Sequence, residues 1–422
     1  MKTRFYHERI QRFEIIPTEE LSADSVPEGW AAMLEHERVP FVSYPYEWSS
    51  GMLRKAALLQ LELMLDALNE GMIIKDATPF NIQWSGVRSV FIDVPSFEVL
   101  RPGEPWVAYR QFCRMFLYPL MLRAYRGLPS QPWLRAFVDG IEPEFMNRML
   151  ATRDYFRAGV FSHVFMHALI SRQYAGTGVD QRKQLRDAGF HVDLIRTNVR
   201  RLIKIVSRLK WKDKRSAWSD YAREHSYPEA EVARKEQFVS DAVRSIRPQL
   251  VWDLGCNAGH FARIAAKHSG YVVACDADHL VIERLFESLC ANGPDNILPL
   301  AVNLTDPSPA LGWNLRERKT MLERGRPDMV LALALVHHIV ISGNIPLGEF
   351  LDWLSEIGCA LVIEFPTRAD EMVRSLLRNK ADQYSDYSLE NFESLLTQRF
   401  TIRNRLELKD GRRHIFFVTV ND

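Results

Sequence analysis

One stretch constrains the rest of this chain: Val251 to Asp278, where an apolar run, a glycine-bracketed turn, a helical pattern, a second apolar run and an acid follow in order. Leu250 to Leu254 is apolar except for Asp253, Gly255 and Gly259 bracket the turn, and Phe261, Ile264 and Ala265 share one helical face. Tyr271 to Cys275 then ends at Asp276. Glycines between strand and helix let backbone amides approach a ligand closely. A carboxylate about 20 residues further on is placed to hold the two hydroxyls of a ribose. The stretch therefore predicts a nucleoside-binding βαβ unit.

The spacing narrows the nucleoside. A dinucleotide fingerprint would read G-x-G-x-x-G, whereas here Asp253 precedes Gly255, and Asn257 stands where a middle glycine would sit before Gly259. Asn tolerates left-handed backbone better than most residues, so the turn stays feasible. An acid in the turn repels a pyrophosphate but suits the ammonium of an amino-acid moiety. This pattern resembles motif I of the class I S-adenosylmethionine-dependent methyltransferases, D-x-G-x-x-x-G, and the resemblance runs from about Trp218 to the C-terminus. It implies an α/β fold with a seven-stranded Rossmann-like sheet and an antiparallel last strand, with S-adenosylmethionine as cofactor. By the same resemblance the cofactor-binding residues are Asp253, Gly255, Cys256, Asn257, Gly259, Asp276, Ala277, Asn303, Leu304 and Ala334.

The rest of this half reads in a matching order. Trp218 to Tyr227, where such enzymes often carry a lid, and a helix Glu229 to Ile246 precede the first strand. A helix Leu280 to Ala291 leads to the strand Ile297 to Leu304, and a charged insertion precedes Asp328. A fourth strand, Met329 to Leu335, ends in Val336-His337-His338. A fifth, Cys359 to Phe365, carries Glu364, and Lys409-Asp410-Gly411-Arg412 is a hairpin turn between the last two runs. Ligands of open parallel sheets bind beyond the carboxyl ends of the strands near the switch point, so the fourth strand end bears on chemistry. The N/D-P-P-Y/F motif of amide and nucleobase N-methyltransferases is absent there, and LALVHH resembles small-molecule O- and C-methyltransferases. A histidine can take a proton from a hydroxyl or enol as a methyl group arrives. Alternation along a strand lets one of His337 and His338 meet the acceptor, with His338 preferred and Glu364 next; both histidines also have a plain packing reading.

The first half carries a different signal. A helical run with Leu61, Leu65 and Leu68 on one face leads through Gly71 into IIKDATPFNIQW, a turn at Ser85-Gly86 and a strand ending at Asp93. This resembles the catalytic loop and metal-binding strand of the protein-kinase and aminoglycoside-phosphotransferase superfamily, with Asp76 at the base position and Asn81 and Asp93 at metal positions. It departs from that pattern at Ile74, at Val94-Pro95 and in lacking a glycine-rich loop before it. The resemblance implies a degenerate α+β kinase-like domain that binds substrate or partner, with metal at Asn81 and Asp93 only if the site is active. Pro40 to Ser49 is expected to be a hinge-like strand. Val192 to Trp211 reads as an amphipathic basic helix, giving domains at 1–190 and 216–422 joined by a linker at 191–215.

Composition excludes several classes. At 422 residues, two domains are the prior, and 47% hydrophobic with 25% charged residues is ordinary for a folded globular chain. A net charge of +1 makes no case for nucleic acid by itself. Five cysteines without C-x-x-C spacing, no apolar leader and no long apolar run predict reduced thiols, a cytoplasmic protein and no membrane span. Bacterial class I methyltransferases, some labelled nodulation proteins, have this combination, and the resemblance implies a small-molecule, metabolite or glycan acceptor. The competing readings are an RNA or protein methyltransferase using the basic helix, a bifunctional methyltransferase and phosphotransferase, and a non-enzymatic binding scaffold.

Overall fold

The computed structural model describes residues 3–174, 191–211, 229–378, 380 and 383–421. The chain forms two compact units, Met1–Lys214 and Arg215–Asp422. The stretch Trp218 to Tyr227, expected to form a lid, lies outside the described residues.

In the first unit, α1 (Arg4–Gln11) is followed by a two-stranded antiparallel ladder of β1 (Thr18–Glu20) and β2 (Leu34–His36). The long α2 (Ser50–Asn69) starts where the Ser49 side chain accepts from Met52 N at 3.3 Å. That cap lies well before the leucine run from which the helix was read. Pro40 to Ser49 forms no strand: Pro45–Glu47 is a single 3-10 turn in which Tyr44 N donates to Glu47 Oε2 at 2.9 Å. Pro45 has no N–H to give to a ladder, which disfavours the extended alternative.

Strand β3 (Met72–Ile74) pairs with β6 (Phe97–Val99), and β4 (Ile82–Ser85) with β5 (Arg88–Phe91), both antiparallel. Helical segments follow: α3 (Tyr109–Phe112), a π turn (Cys113–Leu117), α4 (Tyr118–Arg126), α5 (Gln131–Ala136), α6 (Pro143–Met149) and α7 (Met166–Tyr174). Phe112, Phe116 and Tyr118 are fully buried, whereas Phe137 and Phe145 further along are exposed.

The basic helix α8 (Val192–Arg208) differs from the linker that its charge suggests. Ile195, Val199, Leu202 and Val206, spaced as one helical face, are buried, and the helix packs along α2 within the first unit. Arg196 donates to the Leu68 carbonyl at 2.8 Å and Arg54 to the Leu209 carbonyl at 3.2 Å. An apolar stripe this continuous must be covered, and α2 covers it.

Among the described residues, the second unit begins with α9 (Glu229–Ile246) and alternates β7 (Leu250–Leu254), α10 (His260–Ala266), β8 (Tyr271–Asp276), α11 (His279–Asn292) and β9 (Ile297–Ala301). A short α12 (Met321–Arg324) precedes β10 (Met329–Ala332), and then come α13 (Leu347–Ile357), β11 (Ala360–Pro366), α14 (Glu371–Leu377), α15 (Leu389–Arg399), β12 (Phe400–Leu408) and β13 (Arg413–Val420). The strands form one seven-stranded sheet in the order β12-β13-β11-β10-β7-β8-β9. Pairing is parallel from β11 through β10, β7 and β8 to β9, and β13 lies antiparallel between β11 and β12. The last strand alone runs against the others, in a mostly parallel sheet consistent with a methyltransferase fold. The order reverses between β7 and β10, which opens a crevice at their carboxyl ends. Lys409, Asp410 and Gly411 all take positive φ in the hairpin turn, as Asp-Gly there requires.

If α8 is docked rather than solvated, Leu202→Ala should destabilise the first unit by about 2–5 kcal/mol. Lys204→Ala, on the exposed face, should change stability by less than about 0.5 kcal/mol. Chemical denaturation of the two variants checks this, and equal effects would place the helix in solvent.

Candidate functional site

Backbone geometry builds the site first. Gly255 leaves β7 at φ 76 and donates to the Cys275 carbonyl at 2.8 Å, while Cys256 N shares the same acceptor at 2.9 Å. Asn257 follows at φ 46 and Gly259 at φ 75. A Cβ at Gly259 would stand 2.5 Å from a Leu285 methyl, so a side chain there would be both strained and crowded. Asn257 serves instead of a middle glycine, as its tolerance of left-handed backbone allows, and its Oδ1 accepts from Ala258 N at 2.7 Å.

The Asp276 carboxylate ties this turn to the end of β8. Its Oδ2 accepts from Asn257 N at 3.0 Å and its Oδ1 from Asp278 N at 2.9 Å. Each carboxylate oxygen has a second lone pair, so two further donors remain welcome. Burial raises the Asp276 pKa, and the two backbone donors oppose that rise.

A cavity of about 480 Å³ opens at the crevice, a size suited to a nucleoside-scale ligand. Of the residues expected at a cofactor site, Asp253, Gly255, Cys256, Asn257, Asp276 and Ala277 line it. So do Asn303, Leu304 and Ala334. Gly259 does not line it: its Cα faces Leu285 behind the turn. Ala334, on the cavity wall, has φ 51, an uncommon conformation for a residue with a Cβ.

The histidines are reached by a different geometry from the strand alternation expected. Strand β10 stops at Ala332, Ala334 turns the chain, and His337 is already helical at φ −66 and ψ −27. His338 begins a π turn, His338–Ser342, in which Gly343 N donates to the His338 carbonyl at 2.9 Å. His338 lines the cavity, whereas His337 is fully buried beneath it with the two rings 4.0 Å apart. Burial, then Arg413, lowers the His338 pKa to about 4, so its imidazole is neutral and a nitrogen can accept a proton. Burial lowers His337 well below the ordinary histidine value.

Glu364 is placed elsewhere than the acceptor face. It is fully buried, accepting from Lys235 Nζ at 2.6 Å and from Arg413 at 3.1 Å. Burial would raise its pKa, but the two cations outweigh burial and hold it at about 2. Arg413 also clamps Asp370 with bonds of 2.7 and 3.1 Å. A carboxylate so held is a poor proton acceptor; its work is to fix Lys235 and Arg413, both of which line the cavity. Neither cation was anticipated. Lys235 was readable as a lone lysine on the α9 face that also buries Val239 and Ala242, while nothing in the sequence singles out Arg413 beside Arg412.

In the first unit, Asn81 donates to Asp93 Oδ2 at 2.9 Å, and Asp76 stands near enough to raise the Asp93 pKa after burial has done so. Asp76, Asn81 and Asp93 are thus brought together, although the described residues hold no group of three His, Cys, Asp or Glu side chains able to take a metal ion.

No protein-family model matches the chain. It is 34% identical over 389 residues, 92% of its own length and 81% of the other, to nodulation protein NoeA of Rhizobium meliloti strain 1021. The chain belongs to the NoeA family. Among solved structures, it is similar to the N-methyltransferase NodS of Bradyrhizobium japonicum WM9 in complex with S-adenosyl-L-homocysteine, at 13% identity and TM-score 0.33, covering 45% of this chain and 87% of that one. Magnesium protoporphyrin IX methyltransferase of Synechocystis PCC 6803 is similar at 15% identity and TM-score 0.32, covering 48% and 93%. Among the described residues, no helix is long and apolar enough to cross a membrane.

The Glu364 cluster makes a stability prediction. Its depressed pKa contributes stability that is present above the ordinary glutamate value of 4.5 and is lost as pH falls toward about 2. Glu364→Ala should cost about 3–5 kcal/mol at neutral pH by leaving two buried cations short of an anion. It should also flatten the acid limb of the denaturation midpoint between those pH values. An unchanged acid limb would remove Glu364 from the ion cluster.

Proposed function

We propose that this NoeA-family chain binds S-adenosylmethionine at the crevice of its second unit and transfers the methyl group to an oxygen or carbon of a small-molecule or glycan acceptor. The observation that carries the reading is the Asp276 carboxylate, anchored by the turn amide of Asn257 and still able to accept two ribose hydroxyls. Asp253 supports it: a buried carboxyl on the cavity wall, with Oδ2 lacking a partner among the described residues, suits the ammonium end of an amino-acid moiety. Asn303 and Leu304, beyond β9, line the side where a base would lie.

When bound, S-adenosylmethionine supplies an electrophilic methyl on a sulfonium. The protein's part is to orient the acceptor, exclude water and hold its proton. His338 stands on the cavity wall in its neutral form, so an imidazole nitrogen takes the acceptor's proton as the new bond forms. Its low pKa makes it a weak base, matched to an acceptor that becomes acidic only as methylation proceeds.

For the first unit we infer a binding role without phosphotransfer. The residues before α2 form a helix, a two-stranded ladder and turns, with no glycine-rich loop in the sequence to cradle a nucleotide's phosphates. Asp76, Asn81 and Asp93 then form a polar cluster without a catalytic part. Purified protein should show no ATP-dependent labelling of itself or of the methyl acceptor, and Asp93→Asn should leave methyl transfer within about twofold of normal. Robust phosphotransfer lost in Asp76→Ala would overturn this part.

Two substitutions separate binding from chemistry. Asp276→Ala should weaken S-adenosylmethionine by about 1.5–3 kcal/mol, read by calorimetry. His338→Gln should keep cofactor affinity and lower turnover by about 10²–10⁴. Turnover is followed with labelled cofactor and an extract of producing cells, whose labelled fraction contains the acceptor. Full turnover in His338→Gln would assign proton removal to another group.

A further inference from the structure

Asp253 lies near the end of β7, lines the cavity and keeps 2% of its surface exposed. Its Oδ2 atom has no hydrogen-bond partner among the described residues. An ionised carboxylate stripped of water and left short of donors is strongly disfavoured, and buried polar atoms without partners are uncommon.

The groups on the surrounding elements do not remedy this. Asp276 on β8 adds a second negative charge, and the Cys256 thiol in the turn is kept neutral by burial. Lys235 on α9 attracts Asp253, as does a backbone contact from Ala262 of α10, but the Lys235 ammonium is bound to Glu364 of β11 at 2.6 Å. Arg413 on β13 is engaged by Glu364 and Asp370. His337 and His338 beyond β10 are held neutral by burial, and His260 of α10 pairs with Glu236 of α9 at 2.7 Å. Burial first and Asp276 second push the Asp253 carboxyl up to about 7.

We propose that Asp253 is a proton-gated seat for the ammonium group of the cofactor's amino-acid part, protonated in the free protein under mildly acidic conditions and ionised in the complex. The step balances simply: the carboxyl O–H bond breaks, its proton passes to solvent, and an ammonium N–H bonds to the carboxylate formed. This rests on the cofactor reading above and adds pH control of the same site. Above pH about 7 the seat is ionised and binding is at full strength. Below it, each ligand bound must expel a proton, and affinity falls by about tenfold per pH unit until the pKa of the complex is reached.

Two probes isolate the seat. S-Adenosylhomocysteine carries the ammonium group, and 5′-methylthioadenosine keeps the nucleoside and thioether without it, so pH effects arising at Asp276 reach both. Calorimetry on the full chain between about pH 8 and about pH 6 should find S-adenosylhomocysteine weakened about tenfold relative to methylthioadenosine, with proton release seen as a buffer-dependent heat. Asp253→Asn should abolish that relative change and keep methylthioadenosine affinity, which also reports that the variant is folded. Parallel pH curves for the two probes on the native protein, or a surviving slope in folded Asp253→Asn, would overturn the proton gate while leaving the cofactor reading intact. Failure of both probes to bind at any pH would overturn the cofactor reading itself and the seat with it.

Discussion

The buried meeting of Lys235, Arg413, Glu364 and Asp370 is the interaction on which the second unit's site depends. It draws charges from α9, β11, the residue before α14 and β13 to one place beside the cavity. Four groups with almost no exposed surface are tolerated there only because each meets its opposite, and removing one leaves the others desolvated and short of countercharge. The consequence reaches past stability. The cluster fixes two cations on the cavity wall, and Arg413 is one of the reasons that His338 stays neutral. A last strand inserted antiparallel between β11 and β12 is what brings Arg413 there.

Beside that cluster, the two acids of the βαβ unit have been given different work by their surroundings. Asp276 is fed by two backbone amides, which oppose the rise that burial gives its pKa and leave it lone pairs to spare on the cavity wall. Asp253, more deeply buried, has an oxygen without a hydrogen-bond partner among the described residues. Two carboxyl groups on one cavity wall thus differ in that one is tied to the turn by backbone amides and the other keeps an oxygen without a partner among the described residues. The same contrast separates the histidines, one enclosed beneath the cavity and one on its wall.

Much of this half was legible because local rules and tertiary needs agree there. A glycine must stand where φ is positive and a helix passes within a methyl's reach, and an acid at the end of the second strand has turn amides to bind; both leave fixed marks in sequence. The seven strands and the antiparallel last one were legible through the family resemblance, and the Asp-Gly turn marked the hairpin that brings that strand back. The strand end at β10 was not, because apolar Leu333 to Val336 looks the same whether it extends the strand or turns at Ala334 and coils. Nor was the Glu364 cluster, whose members lie more than a hundred residues apart at the extreme. The helix α8 misled through its charge: its basic face suggested a solvated connection, yet the apolar face decided its place against α2. In the first unit, Pro45 and the Glu47 cap converted an expected strand into a turn, a local contest that composition does not settle.

If the β7 turn and the β8 acid together seat the ligand, a crystal structure of the protein grown with S-adenosylhomocysteine will show ribose hydroxyls within hydrogen-bond distance of both Asp276 oxygens. It will also show the amino-acid end beside Asp253 and the sulfur directed toward the His338 side of the cavity. A ligand bound with its ribose away from Asp276, or bound in the first unit, would rule that seat out.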